Sequence, residues 1–369
     1  MRFLILSANT GGGHNAAAYA IQEELSRRGI DSDVEDCLRF ISEKTSDFIS
    51  WGHSYLYKHM PRVFGHAYRL EEQRSSQFIY DSIALGASKY HAFIAERDYQ
   101  AVICVHVFSS ALVTEEQRRY GKSLPHFFVA TDYTSSPGAG EAQADAWLIP
   151  DEELTEEFVQ CGAPRERVFA TGIPIRRVFT DGLDKTQMRR ELGLPNDGRI
   201  VLMCCGSIGC GKMDRIVPEF ARSLPSDCTL VIVCGNNEKL YTQLIEENTP
   251  RVVPVGFTDK IAQYMSAADV CLSKPGGLST TELLAIGVPS VLVLVVPGCE
   301  SRNMAFITGK GLAVGSEDWE SATKRALALL NDAEEMAQMR RRLIEYSAGH
   351  GAENIVDVIE KTLKTNEQK

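Results

Sequence analysis

Short strand-like runs alternate with amphipathic stretches along most of this chain, and several of the runs end in glycine-rich turns. Phe3–Ser7, Ser32–Asp36, Ala101–Val105, His126–Ala130, Ala146–Ile149 and Val168–Thr171 form one series. Ile200–Cys204, Thr229–Cys234, Val252–Pro254, Val270–Leu272 and Ser290–Val293 form a second. Most of these runs are apolar without alternation, as strands covered on both faces must be, and strands separated by helices join into parallel sheets. The pattern predicts an α/β protein with two doubly wound sheets. At 369 residues the chain exceeds one ordinary core. We expect one domain over 1–175, a second over 186–345, and a linker and hinge at Pro174–Lys185. A closing helical segment over 346–369 is placed to pack back on the first domain.

Composition narrows the function. Apolar residues make up 44% and charged residues 24%, the balance of a soluble globular protein. No apolar run is long enough to span a bilayer. Met1–Leu6 reads as a buried strand and not as a signal peptide, so a cytoplasmic protein is expected. The ten cysteines are scattered without paired metal-ligand spacing, which suits reduced thiols and no zinc. The single Asp-x-Asp triplet, Asp31-Ser-Asp33, precedes a strand and reads as a solvated turn, so no metal site is expected. A net charge of −10 argues against nucleic acid as a partner. Locally the balance reverses: Trp51–Leu70 has no Asp or Glu but carries Lys58, Arg62 and Arg69. Phe48, Trp51, Tyr55, Leu56 and His59 recur there at helical spacing, which fits either a core face or a surface at the membrane interface.

The chemistry concentrates at the glycine-rich ends of the runs. Lys274-Pro-Gly-Gly-Leu-Ser-Thr-Thr-Glu282 follows the Val270 strand and opens a helix predicted over Ser279–Ile286. Gly276 and Gly277 let a ligand approach the backbone, and the helix N-terminus with Ser279 and Thr280 suits a diphosphate. Glu282, expected in the first turn, can accept hydrogen bonds from ribose hydroxyls. A nucleotide-sugar site is implied. Cys205-Gly-Ser-Ile-Gly-Cys-Gly-Lys212 can offer backbone N–H groups from Gly206, Ser207 and Gly209, or be a plain strand-to-helix turn; it lacks the Walker spacing. In Asn9-Thr-Gly-Gly-Gly-His-Asn15, Gly12 and Gly13 are donor-binding candidates and allow a tight turn under a helix predicted over Asn15–Arg28. A helix N-terminus disfavours the imidazolium, so His14 is either a general base or a cap. Thr131-Asp132 and His106 end two further runs; Asp132 is a second catalytic candidate or a helix cap.

These ordered motifs resemble the GT-B glycosyltransferases that use UDP-sugars, above all the branch of monogalactosyldiacylglycerol synthase and the bacterial processive diacylglycerol glucosyltransferases. The peptidoglycan enzyme MurG is a more distant relative. The resemblance implies two Rossmann-like domains facing a central cleft. It further implies inverting transfer of a hexose from UDP-glucose or UDP-galactose to a lipid hydroxyl such as that of diacylglycerol. UDP-sugar would be the co-substrate and no cofactor would be needed. The enzyme would sit peripherally on the inner, cytoplasmic face of the membrane. By the same resemblance His14 is the base, with Asp132 beside the acceptor, and Phe257 in Val255-Gly-Phe-Thr-Asp259 lies at the uracil. Lys274, Glu300 and Asn303 join the donor site, and Trp51, Tyr55, Lys58, Arg62 and His106 serve the acceptor and membrane. The chain departs from the family at Cys299, where a glutamine usually precedes the acid, and at Ser135–Gly140, which replaces a His/aromatic segment. A soluble acceptor, a UDP-sugar 2-epimerase and a non-catalytic UDP-sugar sensor are the alternatives.

Overall fold

The computed structural model describes residues 1–9, 12–42, 83, 85–122, 124–136, 138–204, 213–295 and 298–367. Two compact units result: Met1–Arg176 together with His350–Lys369, and Arg177–Gly349. In the first, β1 (Arg2–Ser7), β2 (Asp31–Asp36), β3 (Ala101–Cys104), β4 (His126–Val129), β5 (Ala146–Ile149) and β6 (Val168–Ala170) form a parallel sheet in the order β2-β1-β3-β4-β5-β6. In the second, β7 (Arg199–Cys204), β8 (Cys228–Val233), β9 (Val252–Val255), β10 (Val270–Ser273), β11 (Ser290–Val293) and β12 (Val314–Ser316) form another, ordered β12-β11-β10-β7-β8-β9. The apolar runs occupy the inner strands, where Leu4, Ile5, Val102, Ile103, Val201, Leu202, Cys271 and Leu272 are fully buried. The acidic β2 is tolerated because it lies at an edge, where Asp33 reaches Arg2 and the Tyr99 hydroxyl.

Strand order reverses between β1 and β3 in the first sheet and between β7 and β10 in the second. Chains leaving such a pair diverge to opposite faces, which opens a crevice beyond the carboxyl ends of the strands. His14 and the Lys274–Gly277 turn stand beyond those ends in their respective units.

The helix Gly351–Glu367 belongs to the first unit and lies on the helix Gly12–Arg27. Ile355, Val356 and Ile359 are fully buried in one cluster with Ala18, Ile21 and Leu25. Each such side chain contributes about 1.5–3 kcal/mol by leaving water. A polar seam borders them: Glu24, 1% exposed, receives Arg27 and Arg28, and Arg28 continues to Asp357 at 2.6 Å. The Arg27 and Arg28 guanidiniums hold the Glu24 carboxyl below its ordinary range despite burial. Gly351 seats the turn, since a Cβ there would stand 2.3 Å from the Ile173 carbonyl oxygen.

Some sequence expectations shift. The first long helix starts at Gly12, not at Asn15, so Gly12, Gly13 and His14 are its opening residues. The donor-side helix starts at Gly277, not at Ser279. Strand β12 was not foreseen; it is three residues long, contains Gly315 and pairs with β11 alone. Gly206, Ser207 and Gly209, with Trp51, Tyr55, Lys58 and Arg62, lie outside the described residues.

His126 gives the first unit a pH dependence. Its ring is fully buried beside Ser110 Oγ at 3.0 Å, and burial lowers its pKa from the ordinary 6.5 to about 4. The unfolded chain therefore binds a proton near pH 6.5 that the folded one refuses until about pH 4. Stability is complete above the upper value and falls through this window by roughly 3 kcal/mol. Urea midpoints measured across the window should show this slope, and His126→Gln should flatten it.

Candidate active site and donor site

The first unit gathers three strand ends around one imidazole. β1 leads to Asn15, whose Oδ1 accepts from Ser7 Oγ at 2.7 Å, and this ties the helix start to the strand. His14, one residue earlier, places Nδ1 3.2 Å from the Val105 carbonyl oxygen and 3.0 Å from Thr131 Oγ1. A carbonyl only accepts, so Nδ1 carries the hydrogen and Nε2 is the basic nitrogen. Val105 follows β3 and Thr131 follows β4, so adjacent strands of the sheet hold the ring plane, and the Val105 carbonyl selects the tautomer.

His106 stands next to it with the opposite tautomer. Its Nδ1 accepts from the Phe108 N–H at 3.0 Å, capping the helix Val107–Tyr120, so its proton lies on Nε2. The two imidazoles meet edge to face with centroids 4.5 Å apart. His106 thus acts here as a cap and a wall for His14. Asp132 follows Thr131 and is half-buried. The hydrogen bonds that orient His14 from Val105 and Thr131 come from a backbone carbonyl and a hydroxyl; sequence patterning carries no signal for the first and only the Thr-Asp step for the second.

In the second unit β10 ends in a turn built for close approach. Gly276 N–H bonds to the Lys274 carbonyl at 2.9 Å, and Gly276 caps the helix Gly277–Ile286 in extended conformation. A Cβ on Gly276 would stand 3.3 Å from Ser279 Oγ and 3.5 Å from Lys274 Nζ, so glycine leaves room before the helix that a side chain would crowd. Thr281 Oγ1 turns back to the Gly277 carbonyl at 2.8 Å, whereas the Thr280 hydroxyl, 1% exposed, meets no acceptor or donor among the described residues. Because the helix begins at Gly277, Glu282 falls in its second turn and not its first.

The helix Cys299–Gly309 braces this turn from the side. Lys274 Nζ meets Glu300 Oε1 at 3.0 Å, and the fully buried Asn303 donates from Nδ2 to the Pro275 carbonyl at 3.0 Å. Glu300 and Asn303, which the resemblance assigns to the donor site, both contact the Lys274–Gly276 turn. Lys274 is held beside the helix N-terminus, where its charge adds to that of the exposed N–H groups. Phe257 follows β9 and is 71% exposed, so it is not a core residue.

Two parallel six-stranded sheets with glycine turns at their carboxyl edges are the architecture of a GT-B glycosyltransferase. MurG of Acinetobacter baumannii superposes with a TM-score of 0.64 at 15% identity, over 98% of this chain and 99% of that one. Anabaena HepE in complex with UDP-glucose superposes with a TM-score of 0.59 at 14% identity, over 99% and 100%. Residues 14–175 match the family model of monogalactosyldiacylglycerol (MGDG) synthase, and residues 200–361 match the glycosyltransferase family 28 C-terminal domain. A processive diacylglycerol beta-glucosyltransferase of Bacillus licheniformis is 29% identical over 97% of this chain and 94% of its own length. The enzyme of the same description from Bacillus subtilis is 27% identical over 100% and 97%. The chain belongs to this family of UDP-sugar glycosyltransferases.

Proposed function

We propose that the protein transfers a hexose, with inversion, from UDP-glucose or UDP-galactose to a lipid hydroxyl, with diacylglycerol as the acceptor. The observation that carries this is the pair of contacts at His14 Nδ1, to the Val105 carbonyl and the Thr131 hydroxyl, in a chain whose relatives are diacylglycerol glucosyltransferases. His14 Nε2 takes the acceptor proton as the hydroxyl oxygen attacks the anomeric carbon. The bond to the UDP oxygen breaks on the opposite side. The departing diphosphate is met by the N-terminus of helix Gly277–Ile286 and by Lys274, with Gly276, Gly277, Ser279 and Thr280 lining its path. Glu282 takes the ribose hydroxyls and Phe257 lies against the uracil. Asp132 faces the acceptor. Preorganised charge of this kind is usually the largest catalytic contribution. It replaces a divalent cation, so turnover is expected to be unchanged by a chelator, and a strict Mg²⁺ requirement would contradict it.

Among the described residues no helix is long and apolar enough to cross a membrane. A lipid acceptor therefore calls for peripheral binding at the inner leaflet, through the aromatic and basic segment holding Trp51, Tyr55, Lys58 and Arg62. Flotation with vesicles containing anionic lipid and diacylglycerol tests this. The wild-type protein should float and Trp51→Ala/Tyr55→Ala should largely remain below. Absence of flotation by the wild type would favour a soluble acceptor, the reading that its relatives disfavour.

A further inference from the structure

Three residues after Thr131, whose hydroxyl sits on the His14 ring, the chain meets a carboxylate from another element. Glu157 lies in the helix Thr155–Gln160, and its Oε1 takes three hydrogen bonds from two consecutive residues. They come from Thr134 Oγ1 at 2.6 Å, the Ser135 N–H at 2.7 Å and Ser135 Oγ at 2.9 Å. Thr134 and Ser135 are 1% and 5% exposed, so water cannot substitute for this acceptor. The turn is seated again further on. The Trp147 indole donates to the Ala139 carbonyl at 3.0 Å, and a Cβ on Gly140 would come within 1.6 Å of the Cys161 carbonyl oxygen. Between the His14 contact and the clamp lie only Asp132 and Tyr133, the latter 2% exposed.

We propose that Glu157 is a positioning residue for the transfer reaction: by fixing Thr134 and Ser135 it fixes where Thr131 and Asp132 stand relative to His14. The proposal rests on His14 being the base. An ionised carboxylate suits the task, since it only accepts and makes charge-assisted hydrogen bonds stronger than neutral ones. Rigid peptide planes leave two soft dihedrals per residue, so displacement at Thr134 is passed along a very short link. A shift of about 1 Å at a positioning group can cost about 100-fold in rate.

The test is UDP release from UDP-glucose with diacylglycerol vesicles, together with UDP affinity by calorimetry. Glu157→Ala should lower kcat by about 10- to 100-fold while KM for UDP-glucose and UDP affinity stay within about twofold. Glu157→Gln, whose amide oxygen can still accept, should recover most of the rate. If Glu157→Ala does not fold, Thr134→Val/Ser135→Ala removes two of the donors and should show the same split between kcat and KM. Wild-type kcat in Glu157→Ala beside an inactive His14→Ala would overturn the proposal, as would UDP affinity falling in step with kcat, or Glu157→Gln as slow as Glu157→Ala. A His14→Ala enzyme of wild-type rate would instead remove the base assignment, and the proposal with it.

Discussion

Replacing His14 by alanine is expected to lower kcat for hexose transfer by about 10²- to 10⁴-fold and to leave UDP affinity within about twofold. The range is that of a positioned general base. A hydroxyl attacking an anomeric carbon must lose its proton during bond formation, and His14 Nε2 is the nitrogen left basic once Nδ1 donates to Val105. Uridine nucleotide, by contrast, is assigned to groups in the other unit, among them Gly276, Gly277 and Glu282. Single-turnover rates and UDP calorimetry on the same preparation separate these quantities. A loss of UDP affinity parallel to the loss of rate would mean that His14 serves the donor and not the acceptor proton.

Arg189→Ala is expected to destabilise the second unit by about 3–5 kcal/mol, the cost of breaking a buried, hydrogen-bonded ion pair. Arg189 is 5% exposed in the helix Lys185–Glu191. Its Nε donates to the Ala267 carbonyl at 3.0 Å, and Nη1 donates to those of Asn196 at 3.1 Å and Gly198 at 3.0 Å. Nη2 reaches Asp269 Oδ2 at 2.7 Å, and the same carboxylate receives Lys185 and the Ile200 N–H. Burial pushes the Asp269 carboxyl up, but Lys185, the Ile200 N–H and Arg189 outweigh it and hold the group below its ordinary range. The substitution leaves three carbonyls and a half-buried carboxylate short of a donor at once. Lysine cannot reproduce a planar fork that serves four oxygens, so Arg189→Lys should recover less than half the loss in urea midpoint. A shift below about 1 kcal/mol for Arg189→Ala would mean that water reaches these carbonyls.

Buried parallel strands left a strong trace in the sequence because both faces must be apolar, as in Ile200–Cys204 and Val270–Ser273. β12 left almost none, since Val-Gly-Ser at an edge needs neither length nor hydrophobicity. Glycine misled at both helix starts. Gly12 and Gly277 read as loop, yet the first turn of a helix has unpaired N–H groups in any case and accepts glycine at little cost. Side chains with their own chemistry, His14 and Glu282, stood out. Their partners did not: the Val105 carbonyl has no residue-type signature, and no pattern in the sequence joins the Asn303 amide to the Pro275 carbonyl. Nor does any pattern in the sequence join Glu157 to Ser135, because one lies in the β5–β6 connection and the other in the β4–β5 connection, and packing rather than a periodicity brings them together.

The most direct test is to incubate the protein with UDP-glucose or UDP-galactose labelled in the hexose and with vesicles containing diacylglycerol, then follow the label. Label moving into the organic phase as a glycosyl-diacylglycerol, with equimolar UDP released and neither seen with His14→Ala, is the predicted result. UDP-sugar binding without any lipid-borne label, or release of free hexose alone, would contradict a lipid acceptor.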